Sequence, residues 1–232
     1  MILYVNGCSH SAGHCVPLQR TYSNMVMSSL VKNYDMNPSL TFNKLPNNFL
    51  YNDAKHGAGN DFIFHKSIET ISHLISLGKK PDYVIIQWSG PNRRLHSRYD
   101  GFVEFVNPWD SPELGVPFEP MASEHSLHFI YALQEFLKKN EIEYWFFNYM
   151  ALDRSIKKLH TLPLIDFNRF IDFDNGEYLY EGLIDFFKSQ NLCGDEMGHP
   201  NFEGNIRIAQ KLVDVMGVKL INTDSLLNDK LI

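Results

Sequence analysis

Cysteine is scarce. Cys8, Cys15 and Cys193 are the only three in 232 residues, an odd number and too few for a disulfide framework, so a reducing compartment is the default expectation. Long apolar runs are missing as well. No stretch reaches the roughly 18 uninterrupted apolar residues of a membrane span, and the opening MILYVNG lacks the basic flank and the length of a signal peptide. Positive charge is also thin. Twenty-one Lys and Arg against 27 Asp and Glu give a net charge of −6, and the basic residues are scattered rather than gathered into a face that could hold nucleic acid. These absences predict a soluble, cytoplasmic protein with no nucleic-acid partner and no membrane span. They say nothing of its oligomeric state.

What the chain does have is enough apolar material for a substantial core, at 44% hydrophobic residues. Four apolar stretches read as strands that run into loops: ILYV (2–5), NFLYN (48–52), DYVIIQW (82–88) and EYWFFNYM (143–150). Near-continuous apolar runs of this kind suit strands covered on both faces, as in a parallel sheet. Helical spacing lies between and after them. Phe64, Ile68, Ile71 and Ile75 fall on one face, as do Ile130, Leu133 and Leu137, and then Phe202, Ile206, Ala209, Val213 and Met216, with Gly217 placed to end the last helix. The alternation predicts an α/β protein, a doubly wound three-layer α/β/α sandwich on a mainly parallel sheet. One domain over 1–232 is expected, with insertions around 94–122 and 152–192 where the alternation is lost. The first insertion is rich in aromatics over 102–118, which suits either a substrate pocket or packing.

The stretch YVNGCSHSAGHC (4–15) admits three chemistries. A phosphate loop starting at Gly7 would need glycine at position 12 followed by Lys and Ser or Thr; the chain has Ala12, Gly13 and His14 instead. GAGNDF (57–62) lacks the third glycine of a dinucleotide fingerprint. A metal could use Cys8, His10, His14 and Cys15, but their spacing fits no common zinc pattern and no second Cys/His pair completes a shell. A nucleophilic serine needs a base, an orienting acid and oxyanion donors, gathered at the carboxyl ends of parallel strands. Ser9, Gly57 and Asn92 stand after the first three apparent strands, and GDEMGHPNFEGN (194–205) brings Glu196 and His199 before the last helix.

In this set of blocks the chain resembles the SGNH hydrolases, the GDSL lipase/esterase family. NGCSHS is similar to the family's first block, with Ser9 as nucleophile, and NDAKHGAGN to the second, with Asn52 five residues before Gly57. WSGPN resembles the third, with Asn92, and EMGHPN the last, with His199. The resemblance implies a flavodoxin-like sheet and an acyl-enzyme route. His199 would take the proton of Ser9, an acid would orient His199, and the N–H groups of Ser9 and Gly57 with the amide of Asn92 would hold the oxyanion. It implies no cofactor and no metal. Its substrates would be small-molecule, carbohydrate or lipid esters, an O-acetyl ester among them; the alternative is a silent binding protein on the same fold.

Three positions depart from the family. Cys8 stands where Asp is usual, Arg93 follows Asn92 where Asp is usual, and the acid before the histidine is doubled as Asp195-Glu196. Glu196 keeps the family's spacing of three residues to His199 and is the expected acid, with Asp195 the alternative. Cys8 is read as a small buried residue. Arg93 and Arg94 suit either an anionic substrate group or a salt bridge at the loop's edge.

Overall fold

The structure is a computed structural model that describes residues 1–40, 45–97, 103–106, 119–153, 157–171, 173, 182–221 and 223. The first strand, β1 (Ile2–Asn6), is buried throughout. It pairs in parallel on one side with β3 (Phe49–Asn52) and on the other with β4 (Tyr83–Trp88). A two-residue strand β2 (Asp35–Met36) borders β3, and β7 (Glu143–Asn148) borders β4, giving a five-stranded parallel sheet in the order β2-β3-β1-β4-β7. The four predicted strands agree with these to within a residue or two. β2 escaped the sequence reading because two half-exposed residues carry no periodic signal. A separate antiparallel pair, β5 (Arg94–Ser97) with β6 (Val103–Val106), lies in the first predicted insertion. The rest of the 102–118 aromatic stretch, and residues 154–156, 172 and 174–181 of the second insertion, lie outside the described residues.

Strand side chains alternate between two cores. Tyr4, Val84, Ile86, Trp88, Tyr144 and Phe146 face helices α2 (Asn60–Ser76) and α3 (Glu119–Lys139), meeting Ile63, Ile71, Leu127, Ile130, Leu133 and Leu137. Leu3, Val5, Leu50, Ile85 and Phe147 face the other way. They meet Met25 of α1 (Tyr22–Leu30), Phe187 of α4 (Leu183–Ser189), and Ile208 and Leu212 of α5 (Phe202–Val215). This is the three-layer sandwich expected. Each fully buried aliphatic or phenyl side chain contributes roughly 1.5–3 kcal/mol, so the two cores carry the fold. The stripe read for α2 is rotated, however. Ile63, Ser67, Thr70, Ile71 and Leu74 are the buried face, whereas Phe64, Ile68 and Ile75 flank it. Ser67 and Thr70 belong inside because polar side chains bind them there: Asn6 Nδ2 donates to Ser67 Oγ (3.0 Å), and Thr70 Oγ1 donates to Asp53 (2.6 Å). An apolar count misses polar residues held this way.

Helix α5 is delimited as its sequence suggests. Asn201 caps its start by accepting the Gly204 N–H at 2.9 Å. Gly217, at φ +68°, ends it, with Val218 N–H returning to the Val213 carbonyl.

The loops at the carboxyl ends of the strands are tied to one another. Lys55 N–H donates to the Gly7 carbonyl at 3.1 Å, joining the loops after β3 and β1. Gly59 lies so close to the loop after β4 that a Cβ there would fall 2.3 Å from the Arg93 carbonyl oxygen. Asn60 completes the tie by exchanging hydrogen bonds with the Ser89 backbone, its Oδ1 accepting at 2.7 Å and its Nδ2 donating at 3.2 Å. Gly59→Ala should therefore force two backbones apart and cost roughly 1–3 kcal/mol, seen as a melting temperature lower by several degrees. A melting curve superimposable on the parent's would show that this contact does not hold the loops together.

Candidate active site

The turn after β1 presents a serine. Gly7 leaves no room for a side chain, since a Cβ would lie 2.6 Å from Ser11 Oγ and 2.9 Å from Gln87 Oε1. The chain turns there, with Ser11 N–H and Ala12 N–H both donating to the Cys8 carbonyl. Gln87, fully buried on β4, braces the turn: its Oε1 accepts from Cys8 N–H (3.2 Å) and from Ser11 Oγ (3.1 Å). Cys8 points into the core and is inaccessible, while Ser9 points away from it, 5% exposed.

His199 meets Ser9 from the other end of the chain. Ser9 Oγ lies 2.7 Å from His199 Nε2, and His199 Nδ1 lies 2.6 Å from Asp195 Oδ2. The Asp195 side chain also accepts the His199 backbone N–H, at 3.0 Å through Oδ1. With Nδ1–H given to Asp195, Nε2 is left to accept the serine proton. This corrects the expectation for the acid. Glu196 is exposed at the tip of the turn and makes none of these contacts. The reason is local. Residues 193 and 200 form an antiparallel bridge, Gly194 N–H donates to the His199 carbonyl (2.6 Å), and Gly198 at φ +85° closes the turn between them. In so tight a turn the residue four before His199 faces it, and the residue three before points outward.

Histidine and aromatic rings hold His199 in place. His10, 1% exposed, packs its ring at a tilt against both Tyr149 (3.7 Å between centroids) and His199 (4.6 Å), and its Nε2–H donates to the Gly198 carbonyl at 3.2 Å. Tyr149 O–H donates to the Met197 carbonyl at 2.9 Å. His14 lies on the open side, 4.3 Å from His199. Burial, the His10 ring and His14 together outweigh Asp195 and push His199 down to about 4. Burial alone would raise Asp195, but hydrogen bonds from the His199 backbone and ring and from Cys15 hold it at about 2. Both shifts favour a neutral imidazole beside a carboxylate across the neutral range. Tyr149 and Gln87 were missed from the sequence because nothing in their spacing marks them, and His10 reads there only as a possible metal ligand; only the fold brings the three to Ser9 and His199.

The two remaining predicted residues sit on the neighbouring loops. Gly57, at φ +76°, occupies a turn in which Ala58 N–H donates to the Lys55 carbonyl. Asn52 links that loop to the serine turn, its Nδ2 donating to the Ser11 carbonyl at 2.8 Å. Asn92 follows β4 in a turn closed by Arg93 N–H to the Gly90 carbonyl. Its Oδ1 is buried without a hydrogen-bond partner among the described residues. Arg93 is also buried. Its guanidinium donates to Ser89 Oγ (3.2 Å) and lies over the Tyr149 ring.

Neither a family model nor a curated protein matches the sequence. Solved structures do. One is the psychrotrophic esterase EstA from Pseudoalteromonas sp., at TM-score 0.52 and 11% identity over 98% of this chain and 99% of that one. Another is the acetyl xylan esterase AlAXEase, at TM-score 0.52 and 15% identity, covering 92% and 98%. A candidate lipolytic protein of the G-D-S-L family from Desulfitobacterium hafniense DCB-2 gives TM-score 0.51 and 14% identity, covering 92% and 98%. The likeness runs over nearly the whole of each chain. It establishes the fold: the α/β/α sandwich of the SGNH hydrolases. Among the described residues, no helix is long and apolar enough to cross a membrane.

The electrostatics of the site are directly measurable. In an NMR titration of the histidine rings, assigned with a His199→Gln variant, one ring should stay neutral until about pH 4. Since its folded-state value lies below the ordinary 6.5, the stability it lends is lost as pH falls from about 6.5 toward 4. A His199 titration near 6.5 would show that burial and His10 do not act as described.

Proposed function

We propose that this protein is a serine esterase that hydrolyses O-acyl esters through a covalent acyl-enzyme. The observation that carries the reading is the continuous chain Ser9 Oγ–His199–Asp195, with hydrogen-bond distances of 2.7 and 2.6 Å. His199 takes the Ser9 proton as Oγ attacks the ester carbonyl, and later returns it to the departing alcohol. Asp195 fixes the tautomer and stabilises the imidazolium. Water, activated by the same ring, then releases the acid.

The oxyanion would be held by the N–H groups of Ser9 and Gly57 and by the amide of Asn92. The place of Asn92 supports its part, since it stands in the turn directly after β4, the strand paired with β1 on whose following loop Ser9 lies. A small acyl group, acetyl among the candidates, on a sugar, a lipid or another alcohol is the substrate class. Solved relatives by fold include an acetyl xylan esterase and an esterase described as inhibited by monoethylphosphonate. A catalytically silent binding protein would have no need to keep neutral His199 hydrogen-bonded to both a serine and a carboxylate.

The assignment of roles makes separate variants informative. Ser9→Ala should abolish both hydrolysis of a short p-nitrophenyl ester and labelling by a fluorophosphonate. Asp195→Asn should lower kcat by about 10⁴-fold, whereas Glu196→Gln, an exposed change, should alter it only a few-fold. Equal effects of the two acid variants would remove Asp195 from the triad, and an active Ser9→Ala would end the serine-esterase reading. Asn92→Ala should slow kcat by about 10²–10³-fold with the fold intact; a rate within a few-fold of the parent's would remove its amide from the oxyanion site.

A further inference from the structure

The ester mechanism leaves one group of ligating side chains at the edge of the site unused. His14 and Cys15, on the loop after β1, converge on the carboxylate of Asp195. Cys15 Sγ–H donates to Asp195 Oδ2 at 3.3 Å, and His14 Nε2 lies 3.7 Å from the same oxygen. One ligand atom from each of His14, Cys15, Asp195 and His199 lies within 4.8 Å of the other three. Cys15 is held at φ +69°, a left-handed conformation uncommon for a residue with a side chain, and its Cβ packs against Gly194, where a further Cβ would come within 2.9 Å. His14 and Cys15 are exposed, so an ion can reach them.

We propose that His14, Cys15 and Asp195, with His199 as the fourth ligand, form a capture site for a soft divalent cation such as Zn²⁺, and that filling it shuts the active site. Metal–ligand lengths of about 2.0–2.3 Å put the ligand atoms of a tetrahedral zinc site about 3.3–3.8 Å apart. The Cys15–Asp195 and His14–Asp195 separations already fall in that range. His199 Nδ1 and Asp195 Oδ2, at 2.6 Å, are too close to ligate one ion together while they share a proton. Occupancy therefore has to part them. A thiolate with imidazoles and one carboxylate favours Zn²⁺ over Mg²⁺ or Ca²⁺, which prefer all-oxygen shells. The step is ligand exchange alone: Cys15 gives its thiol proton to solvent, His199 gives up its Nδ1 proton and takes one at Nε2 so that it ligates as the neutral ring, a water leaves the ion for each ligand that enters, and nothing is oxidised or reduced.

The binding half of the proposal stands on this geometry, and the shutdown half rests also on the esterase reading. Two measurements keep them apart. Binding is read on the full chain carrying Ser9→Ala, titrated with Co²⁺ and followed by the thiolate-to-cobalt charge-transfer band, with Zn²⁺ competing it away. One equivalent should bind, and Cys15→Ser and His14→Gln should each weaken it by at least about tenfold. Absence of the band, or a band that neither substitution changes, would overturn the site. Shutdown is read as ester hydrolysis in Zn²⁺, relative to each protein's own metal-free rate and reversed by EDTA. The parent should be inhibited, and the Cys15→Ser and His14→Gln variants should resist. Cobalt bound at Cys15 with hydrolysis indifferent to Zn²⁺ would overturn the shutdown. A protein that binds cobalt at Cys15 but never hydrolyses an ester would keep the site and end the esterase reading instead.

Discussion

The site depends on the parallel pairing of β1 along both edges. Because β3 and β4 run with β1 in fixed register, their carboxyl ends and the loops beyond them are set side by side before any catalytic side chain is considered. The loops then need only short ties. Gly7 to Lys55, Gly59 against Arg93, and Asn60 on the Ser89 backbone supply them, and each uses a main-chain group or a residue without a Cβ. Gln87 takes the register one step further. As a β4 residue it is placed under the turn after β1, and its carboxamide dictates how that turn leaves the sheet. The orientation of Ser9 is thus a consequence of strand pairing, passed through one buried glutamine.

How much of this the sequence displayed follows from the kind of signal each part emits. Strands buried on both faces are runs of apolar residues, and ILYV, DYVIIQW and EYWFFN are visible as such. Helix α2 was found but rotated, because Ser67 and Thr70 face inward on the strength of hydrogen bonds that an apolar count cannot register. Ser9 and His199 were legible through their blocks. For the acid, spacing alone prefers Glu196 to Asp195. The decision lies in the turn, where the bridge between Cys193 and Pro200 and the left-handed Gly198 choose which carboxylate faces inward. Tyr149 emitted nothing, and His10 showed only as a possible metal ligand. They matter through a stack assembled from residues 10, 149 and 199, a proximity that exists only in the fold.

The departure at Cys8 has a physical counterpart in the same stack. A carboxylate at this position, as is usual in the family the sequence resembles, would place a negative charge beneath the serine turn. Burial opposes any charge on the Cys8 thiol, yet His10 Nδ1 at 3.4 Å and the Arg93 guanidinium together pull it down to about 5. Gln87 brackets the sulfur from the β4 side, with its Oε1 and its Nε2 each 3.3 Å away. A buried guanidinium is costly unless it finds partners, and Arg93 has Ser89 Oγ at 3.2 Å and the face of the Tyr149 ring. Two departures that look independent along the chain thus share one neighbour: Cys8 lies against His10, whose ring meets Tyr149, and Arg93 lies over Tyr149 from its own loop.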